Sequence, residues 1–350
     1  MKQSITLIVP FYNAQQTILL CLESIFNQLM LPDQIILVDN VSTDNTVSRI
    51  NKFIKEKNAA KKILILSERK KGPAAARNKA LSYAQTDLIA FADADCILSN
   101  NWIEKILNHY EVNSKLRIIT GKTYGYLPGN IIGKFMALEW YWIDRKRKKI
   151  CSKESKISLK DCALFRNSAY KAEVFDEVGM LDERFSFAGE DTDFRVRLMK
   201  KNIDIFFDSE LKVFHKDRSR LKQILKQIFL YGLAHPMIIK KHFPNTLIIE
   251  APFLDRVSFE NSPITGWVKI SFLYILILGM AIFVCFTQNY FILAVIPVYI
   301  YVKIHNSLKK TDIETSFVER IVIVVLFLLR RMLFVLGKLD GSIKNRVICC

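Results

Sequence analysis

Two acidic residues stand one residue apart at the end of an apolar run. Asp93 and Asp95 follow Leu88–Ala92, whose sequence LIAFA is typical of a buried strand. On a straight strand the two carboxylates would share a face and repel each other, so a positive partner must lie near them. A divalent ion fits, because proteins hold Mg²⁺ or Mn²⁺ with one or two carboxylates and let phosphate and water complete the shell. The pair alone is equally compatible with a solvated strand end.

The residues upstream supply the groups that a phosphorylated ligand requires. Arg69–Lys71 are basic, and Gly72 with the three alanines after Pro73 lets the backbone come close to a ligand. Arg77 falls in the first turns of the helix that this segment opens, where anions are favoured. Acids and bases placed in this way predict a metal and a phosphate in one site.

The elements that must position these residues alternate along the first part of the chain. The predicted strands are 5–9, 35–38, 62–66 and 88–92, and the predicted helices are 17–27, 45–57 and 74–84. Repeated βα units predict an α/β fold with a mostly parallel sheet and helices on both faces. Ligands of such sheets lie outside the carboxyl ends of the strands. Polar segments follow three predicted strands at that edge: Pro10–Asn13, Asp39–Asp44 and Asp93–Asp95.

Six short motifs resemble, in this order and spacing, the inverting GT-A glycosyltransferases of family 2. They are VPFYN (9–13), VDNVSTDNT (38–46), GPAAARN (72–78), FADAD (91–95), NSAYKAEVFDEVGMLDE (167–183) and GEDTDFRVRL (189–198). The resemblance covers about residues 4–240. It implies the Rossmann-like GT-A fold, a nucleotide-sugar donor and a divalent metal cofactor, Mn²⁺ or Mg²⁺. A UDP-sugar is the favoured donor.

The resemblance also implies which residues hold donor and metal. The implied nucleotide-sugar-binding residues are Pro10, Tyr12, Asn13, Asp39, Ser42, Arg77 and Asp93. Asp39 would contact the base, Asp93 would lie near the ribose, and Asn13 and Arg77 would help to hold the phosphates. Asp95 would bind the metal. His215 matches a histidine that many members place near the metal or the diphosphate, although a structural role is equally open for a single histidine.

Glu190 and Asp191 match the acidic pair of the family. An acceptor hydroxyl must lose its proton as it attacks the anomeric carbon, and a general base supplies that step. Asp191 is the position that resembles the base. On the sequence alone, acids at this point are explained by the electrostatics of a helix N-terminus.

Departures from the family pattern bear on the donor and on the reaction. Val41 stands where Gly or Asn is usual after the base-binding Asp39, which indicates a different backbone dihedral there. The Gln-x-x-Arg-Trp motif of processive synthases is absent from the corresponding segment 223–232. A single addition of sugar is therefore implied.

Three residues are assigned to the acceptor region. Asn167 matches the segment ahead of the acceptor-facing turn, and Asp182 either approaches a substrate or closes that turn. Trp140 belongs to 135–149, which combines aromatic residues with a basic cluster as expected at a membrane surface. Stacking of a sugar on these aromatics is the competing interpretation. Both interpretations favour a lipid-linked or membrane glycan acceptor.

Composition suggests membrane contact rather than nucleic-acid binding. The net charge is +17, but the basic clusters 145–149 and 216–226 adjoin aromatic or amphipathic stretches and no nucleic-acid motif. The seven cysteines are scattered, as expected for reduced thiols facing the cytosol. The helical pattern of 219–231 fits a helix at the membrane interface or a packed core helix.

Two apolar runs near the C-terminus predict a membrane hairpin. Residues 267–286 and 290–302 are separated by Thr287–Asn289, and positive charges follow the return. Segment 317–336, interrupted by Arg330 and Arg331, suits a helix lying in the interface. A buried hairpin without a membrane is the alternative. The prediction is a multi-pass protein of the cell membrane with its catalytic domain on the cytoplasmic face.

The predicted domains are 1–218, a GT-A nucleotide-sugar transferase domain; 219–262, amphipathic helices and linker; and 263–350, the membrane hairpin with an interfacial helix. The leading hypothesis is a metal-dependent inverting glycosyltransferase that acts on a membrane-associated acceptor. One alternative is a transferase that charges polyprenyl phosphate itself. Another is a catalytically silent membrane protein that binds a nucleotide.

Overall fold

The computed structural model describes residues 3–126, 129–146, 165–217, 220–251, 254–269, 295–311 and 313–349. The chain divides into two compact units, which we name by their positions. The N-terminal unit comprises 1–127 and 139–217, and the C-terminal unit comprises 128–138 and 218–350. This division differs from the predicted domains in two ways: 128–138 belongs to the C-terminal unit, and the predicted second and third domains form one unit.

An eight-stranded sheet organises the N-terminal unit. Its strand order is β3-β2-β1-β4-β7-β6-β8-β5. The strands are β1 Ile5–Phe11, β2 Gln34–Asp39, β3 Ile63–Ser67, β4 Leu88–Ala92, β5 Cys96–Leu98, β6 Ile118–Gly125, β7 Asn167–Lys171 and β8 Phe206–His215. The helices are α1 Ile18–Phe26, α2 Thr46–Glu56, α3 Pro73–Leu81, α4 Trp102–Val112, α5 Ile131–Lys146, α6 Glu173–Val178 and α7 Glu190–Lys200. Helix α5 begins in the C-terminal unit and ends in this one.

The predicted α/β fold is confirmed. Strands β1 to β4 pair in parallel, and β7 joins them antiparallel. Neighbouring residues of β1 enter different cores, since Leu7 packs in the cluster on one face and Ile8 in the cluster on the other. A strand buried on both faces must be apolar throughout, which explains the continuous apolar runs of the sequence. All five residues of β4 are buried.

The short strand β5 turns the chain back beside β8. The two strands pair antiparallel with Cys96 opposite His215. Lys216 N donates a hydrogen bond to Asp95 O at 2.8 Å, which extends the pairing by one residue. This register brings the second acid of the Asp93–Asp95 pair next to the histidine at the end of β8.

The C-terminal unit contains a second sheet with the strand order β10-β9-β11-β12. Its elements are α8 Leu221–His242, β9 Leu247–Ala251, β10 Leu254–Phe259, β11 Gly266–Lys269, α9 Val295–Leu308, α10 Phe317–Asn345 and β12 Ile348–Cys349. Three strands thus lie where helices, a linker and the start of an apolar span were predicted.

Glycines let α8 and α10 pack backbone against backbone. A Cβ added at Gly232 would overlap Phe334 O, and one added at Gly337 would overlap Phe229 O. Gly341 continues the contact, since its Cβ would lie 2.7 Å from Leu233 O. The structure therefore favours the packed-helix interpretation of 219–231 over a helix at the membrane interface.

The prediction of a multi-pass membrane protein is wrong for the residues that the structure describes. None of their helices is long and apolar enough to cross a membrane. The predicted first span starts at Trp267 in β11, and residues 270–294 lie outside the described ranges. The described end of the second run lies in α9, which also carries Lys303. The charged pair Arg330–Arg331 interrupts the apolar sequence of α10.

Candidate active site

Asp93 and Asp95 lie on the tight turn that joins β4 to β5. Cys96 N donates to Asp93 O at 3.0 Å and closes this turn. The expectation that the two carboxylates share a face of a straight strand is therefore wrong. The turn sends them to different partners: Asp93 contacts two arginines, and Asp95 contacts a histidine. Positively charged partners therefore face both carboxylates.

Arg77 bridges the end of β4 and the start of α7. Its guanidinium donates to Asp93 Oδ1 and to Glu190 Oε1, both at 2.9 Å. The side chain is buried, and its guanidinium also lies 4.9 Å from the centre of the Phe165 ring. Although burial disfavours the charge, the two carboxylates raise the pKa of Arg77. Arg77, expected at the donor phosphates, thus holds the two acidic segments together.

A glycine precedes each of the two helices that carry Arg77 and Glu190, α3 and α7. Gly72 has φ +132°, and a Cβ there would lie 2.9 Å from the backbone of Ser186. Pro73 then begins α3 with its φ already set for a helix. Gly189, with φ 101°, precedes α7 in the left-handed region. Backbone positions that only glycine adopts easily therefore aim Arg77 and Glu190 at each other.

Glu190 and Asp191 begin α7 in different settings. Burial, reinforced by the charge of Asp191, raises the pKa of Glu190 to about 7 in spite of Arg77. Burial also raises the pKa of Asp191, although Thr192 N donates to its Oδ1 at 2.7 Å. Glu190 is tied to Arg77, whereas these contacts hold Asp191 only to the next residue of its own helix. Of the two acids, Glu190 is therefore the one engaged by the Arg77 guanidinium.

His215 joins two acids at the end of β8. Its Nε2 lies 3.2 Å from Asp95 Oδ1, and its Nδ1 lies 2.8 Å from Asp217 Oδ1. Burial lowers the pKa of His215, but Asp95 and Asp217 outweigh this and raise it to about 9. In turn, His215 overcomes the effect of burial and holds the pKa of Asp95 well below its usual range.

The donor atoms around Asp95 suit a divalent ion. One ligand atom each from Asp95, Cys96 and His215 lie within 4.8 Å of one another. A carboxylate oxygen with an imidazole nitrogen suits Mn²⁺, since imidazole is a ligand of transition metals and Mg²⁺ prefers oxygen. Burial, together with the nearby Asp95 and Asp93, raises the pKa of the Cys96 thiol well above its usual value, which disfavours the thiolate. The residues that fit the ion are therefore Asp95 and His215.

The two loops expected to bind the nucleotide interlock at the ends of β1 and β2. Asn13 N donates to Ser42 Oγ at 3.1 Å, and Thr43 N donates to Asn13 Oδ1 at 2.8 Å. Ser42 N donates to Asp39 Oδ1 at 3.0 Å. Pro10 is the second-last residue of β1. Tyr12 is 56% exposed, so its ring is open to a ligand.

Val41 adopts a backbone conformation that valine disfavours. Its φ is +65°, in the left-handed region that Gly or Asn accepts easily. The expectation of a different dihedral at this position is therefore wrong: the loop keeps the left-handed turn and carries the steric strain of a β-branched residue.

Asn167 and Asp182, both assigned to the acceptor region, are engaged in contacts within the N-terminal unit. Asn167 is 1% exposed, and its amide accepts from Trp102 Nε1 and donates to the carbonyls of Lys122 and Leu211. It joins strands of the sheet and does not face a ligand, so its assignment to the acceptor is corrected. Asp182 accepts from Arg184 N at 3.0 Å, in agreement with the turn-closing alternative.

Trp140 is buried beside His215. Its Nε1 donates to Asp217 Oδ1 and Oδ2 at 3.1 and 3.0 Å. One neighbour of its ring is His215, with centroids 5.4 Å apart, and another is the guanidinium of Arg166 at 4.4 Å. Trp140 is only 8% exposed, which leaves little surface for stacking a sugar or touching a membrane.

The sequence interpretation missed Arg166 and Asp217. Arg166 Nε lies 3.4 Å from Asp93 Oδ2, on the carboxylate that Arg77 also contacts. Asp217 follows His215 by two residues, and an acid at that distance was a signal that could have been noticed. Arg166 gave no signal, because only the fold brings β7 beside β4.

Comparison with known proteins gives a family match for the N-terminal segment. Residues 6–175 match the model of glycosyl transferase family 2. This segment contains Asp93 and Asp95 and ends before Glu190. The chain spans half or less of the length of the first curated relatives that it matches.

Three relatives illustrate the similarity. An uncharacterized glycosyltransferase of Haemophilus influenzae is 37% identical over 37% of this chain and 50% of its own length. A UDP-Glc:α-D-GlcNAc-diphosphoundecaprenol β-1,3-glucosyltransferase of Escherichia coli is 32% identical over 38% of this chain and 51% of its own length. A glucuronosyltransferase of Methanococcus voltae, named for a dolichyl N-acetyl-α-D-glucosaminyl phosphate acceptor, is 26% identical over 69% of this chain and 76% of its own length.

A solved structure supports the fold. A mannosyltransferase of Pyrobaculum calidifontis, in complex with GDP-Man and Mn²⁺, superposes with a TM-score of 0.54. The identity is 13%, and the match covers 99% of this chain and 88% of that one. The fold is thus α/β and GT-A-like, and the family match with the named relatives supports the predicted enzyme class, a glycosyltransferase. Residues 6–175 are therefore similar to the glycosyl transferase family 2 domain.

Proposed function

We propose that this protein transfers a glycosyl group from a nucleoside-diphosphate sugar to an acceptor carried on a polyprenyl-type lipid, by a single inverting displacement. The observation that carries the proposal is the Arg77 bridge. It joins Asp93, on the turn expected to hold the donor, to Glu190, beside the expected base, with 2.9 Å contacts on both sides. This contact supports a single site that contains Asp93, expected near the donor, and Glu190, expected near the acceptor.

The interlocked loops at Asn13 and Ser42 are the proposed nucleotide site. Exposed Tyr12 offers a ring for stacking, and Asp39 stands at the end of β2 to contact the base. UDP is the favoured nucleotide, since the Escherichia coli relative is named for a UDP-sugar. The residues that would hold a divalent ion are Asp95 and His215. When bound, the ion would neutralise the diphosphate as it leaves.

Asp191 is the proposed general base. A base works best when its pKa lies near the operating pH, and burial shifts the pKa of Asp191 upwards, in that direction. It would accept the proton of the acceptor hydroxyl as oxygen attacks the anomeric carbon from the face opposite the diphosphate. Glu190, held by Arg77, would keep the start of α7 in place.

The acceptor class rests on two relatives. One is named for a diphosphoundecaprenol acceptor and the other for a dolichyl phosphate acceptor, and each acceptor already bears a sugar. A sugar hydroxyl is then the attacking group, which requires a base. An acceptor phosphate would be ionised at neutral pH and would require none.

The experiment that tests the proposal measures ligand binding and turnover with the purified full chain. We expect UDP to raise the melting temperature more than GDP or dTDP, and more with Mn²⁺ than without it, because binding to the folded state stabilises it. Radiolabelled UDP-sugars are then incubated with undecaprenyl-diphosphate-linked GlcNAc. Stabilisation by every nucleotide irrespective of metal, or no transfer from any nucleotide sugar, would contradict the proposal.

A further inference from the structure

Two residues that have no role in the proposed function contact the side chain of His215 away from Asp95. They are Asp217, at Nδ1, and Trp140, against the ring. Asp217 Oδ1 lies 2.8 Å from His215 Nδ1, and Trp140 Nε1 donates to both oxygens of the same carboxylate. The Asp217 side chain is 8% exposed. We propose that Asp217 and Trp140 are positioning residues for the metal site, which fix the tautomer and the ring orientation of His215. This inference rests on the proposed function, in which His215 is a metal ligand.

The hydrogen-bonding roles leave little choice of tautomer. An ionised carboxylate only accepts, so Nδ1 of His215 must carry the hydrogen that lies towards Asp217. In the neutral ring, Nε2 then has the lone pair, and Nε2 is the atom that lies 3.2 Å from Asp95 Oδ1. An ion that takes the place of a proton on Nε2 would therefore lie where Asp95 supplies its oxygen. A carboxylate behind a metal-binding histidine typically fixes the ring in this way.

Trp140 completes the arrangement because the indole nitrogen is a donor only. It occupies acceptor capacity of Asp217, so the carboxylate cannot rotate without losing bonds to Trp140 or to His215. The ring of Trp140 also lies against the imidazole, with centroids 5.4 Å apart, and under the guanidinium of Arg166. Arg166 reaches Asp93 at 3.4 Å. One tryptophan therefore connects the histidine side of the site with the Asp93 side.

The backbone of the β5–β8 pair is already ordered, so only the side-chain torsions of His215 remain to be restricted. Cys96 lies opposite His215 in the β5–β8 ladder, so the sheet already sets the Cα positions of Asp95 and His215. The side-chain torsions remain, and two hydrogen-bonding groups restrict them. An orientation that is ready before the ion arrives lowers the cost of ordering the ligand on binding.

The test measures Mn²⁺ affinity by electron paramagnetic resonance of the free ion, with purified full-length protein and no donor. Asp217→Asn should weaken Mn²⁺ binding by about 10- to 100-fold. With its oxygen in the Oδ1 position the new amide still accepts from His215 Nδ1 but turns its NH₂ group towards the Trp140 donor, and the reverse orientation loses the bond to His215 Nδ1. His215→Gln shows the loss that follows from removing the ligand itself.

Asp208→Asn is the matched control. Asp208 lies on the same strand, and its Oδ2 is 2.9 Å from His109 Nε2, outside the candidate site. This variant removes a comparable Asp–His contact and should leave Mn²⁺ affinity unchanged. Equal losses in Asp208→Asn and Asp217→Asn would show a general effect on the strand and overturn the proposal.

UDP binding separates positioning from a structural defect. If Asp217 positions the ligand, Asp217→Asn should bind UDP weakly at low Mn²⁺ and normally at saturating Mn²⁺. A variant that binds UDP poorly at every Mn²⁺ concentration, with a lowered melting temperature, would show a structural role and contradict the proposal. Trp140→Phe added to Asp217→Asn should restore part of the Mn²⁺ affinity, because it removes the opposing donor. Strictly additive losses would exclude the role of Trp140.

His215→Gln and Asp217→Asn together distinguish the metal assignment from the positioning role of Asp217. If His215→Gln binds Mn²⁺ as the unchanged protein does, His215 is not a ligand, and the metal assignment in the proposed function is wrong together with this inference. If His215→Gln weakens binding and Asp217→Asn does not, the metal assignment stands and only the inference is overturned.

Discussion

Glu190 and Arg77 form a buried ion pair with 2.9 Å between Oε1 and Nη1, yet the pKa of the acid is raised to about 7. Burial and the neighbouring Asp191 disfavour the charge of Glu190 more than Arg77 favours it. The folded state therefore binds this proton more tightly than the unfolded chain, whose glutamate has its usual pKa of 4.5. Stability from this group is fully present below pH 4.5 and is lost as the pH rises through about 7.

Glu190→Gln should remove this pH dependence. The unfolding free energy of the unchanged protein, relative to the variant, should fall between pH 4.5 and pH 7, by an amount on the order of 1–3 kcal/mol. Urea unfolding at several pH values measures the difference. Glu56→Gln, at a side chain that is 61% exposed, is the control for the chemical change itself. A constant difference between Glu190→Gln and the unchanged protein would contradict the raised pKa.

Asp191→Asn and Asp95→Asn should affect different steps. Loss of a general base lowers the transfer rate by a factor on the order of 10² to 10⁴, so Asp191→Asn should lower transfer while leaving UDP and Mn²⁺ affinity nearly intact. Asp95→Asn should weaken Mn²⁺-dependent UDP binding. Calorimetric titration beside the transfer rate shows the contrast. Transfer by Asp191→Asn at the original rate would exclude the base and would favour an acceptor phosphate, as in the polyprenyl-phosphate alternative.

Val41→Asn should stabilise the protein. A β-branched residue at φ +65° carries steric strain that asparagine relieves, and the expected gain is about 1 kcal/mol. Val112→Asn, at an 88% exposed position in α4, makes the same chemical change without a left-handed backbone and should be close to neutral. Thermal unfolding of both variants measures the effect. Equal shifts in the two variants would show that strain at Val41 is negligible.

Gly337→Ala should destabilise the C-terminal unit. The added Cβ would overlap Phe229 O, which is backbone and cannot move aside like a flexible side chain. Overpacking of this kind typically costs about 1–3 kcal/mol, here by forcing α8 and α10 apart. Gly129→Ala is the matched control, since nothing lies within 4 Å of its Cβ. Thermal unfolding followed by circular dichroism compares them, and equal melting temperatures would contradict the close approach of the helices.

The sequence predicted the elements around Asp93 and Asp95 because their signals are local. Buried parallel strands appear as continuous apolar runs, and carboxyl ends of such strands meet at one edge. The partners of the two acids could not be predicted in the same way. Arg166 reaches Asp93, and Trp140 reaches His215, through strand pairing and side-chain packing across long stretches of chain, which periodicity does not encode.

The C-terminal region shows the limit of hydrophobicity as a signal. The apolar character around Trp267 predicted a membrane span, but Trp267 is buried in the second sheet, opposite Ile248 of β9. An apolar run is required equally by a membrane and by a buried strand, so composition cannot distinguish them. The spacing of Gly337 and Gly341 was the more specific signal of helix packing in this unit.

If Asp95 and His215 hold a metal ion, as proposed, the antiparallel pairing of β5 with β8 links that site to local unfolding of β5. Strand β5 is an edge strand, and three residue pairs from Cys96–His215 to Leu98–Val213 hold it. Short edge elements open more readily than the core of a sheet. Since detachment of β5 would carry Asp95 away from His215, an ion that binds both residues must oppose that opening. Amide hydrogens of β5 would then exchange with solvent more slowly in the metal-loaded protein, while those in the centre of the sheet would keep their rates.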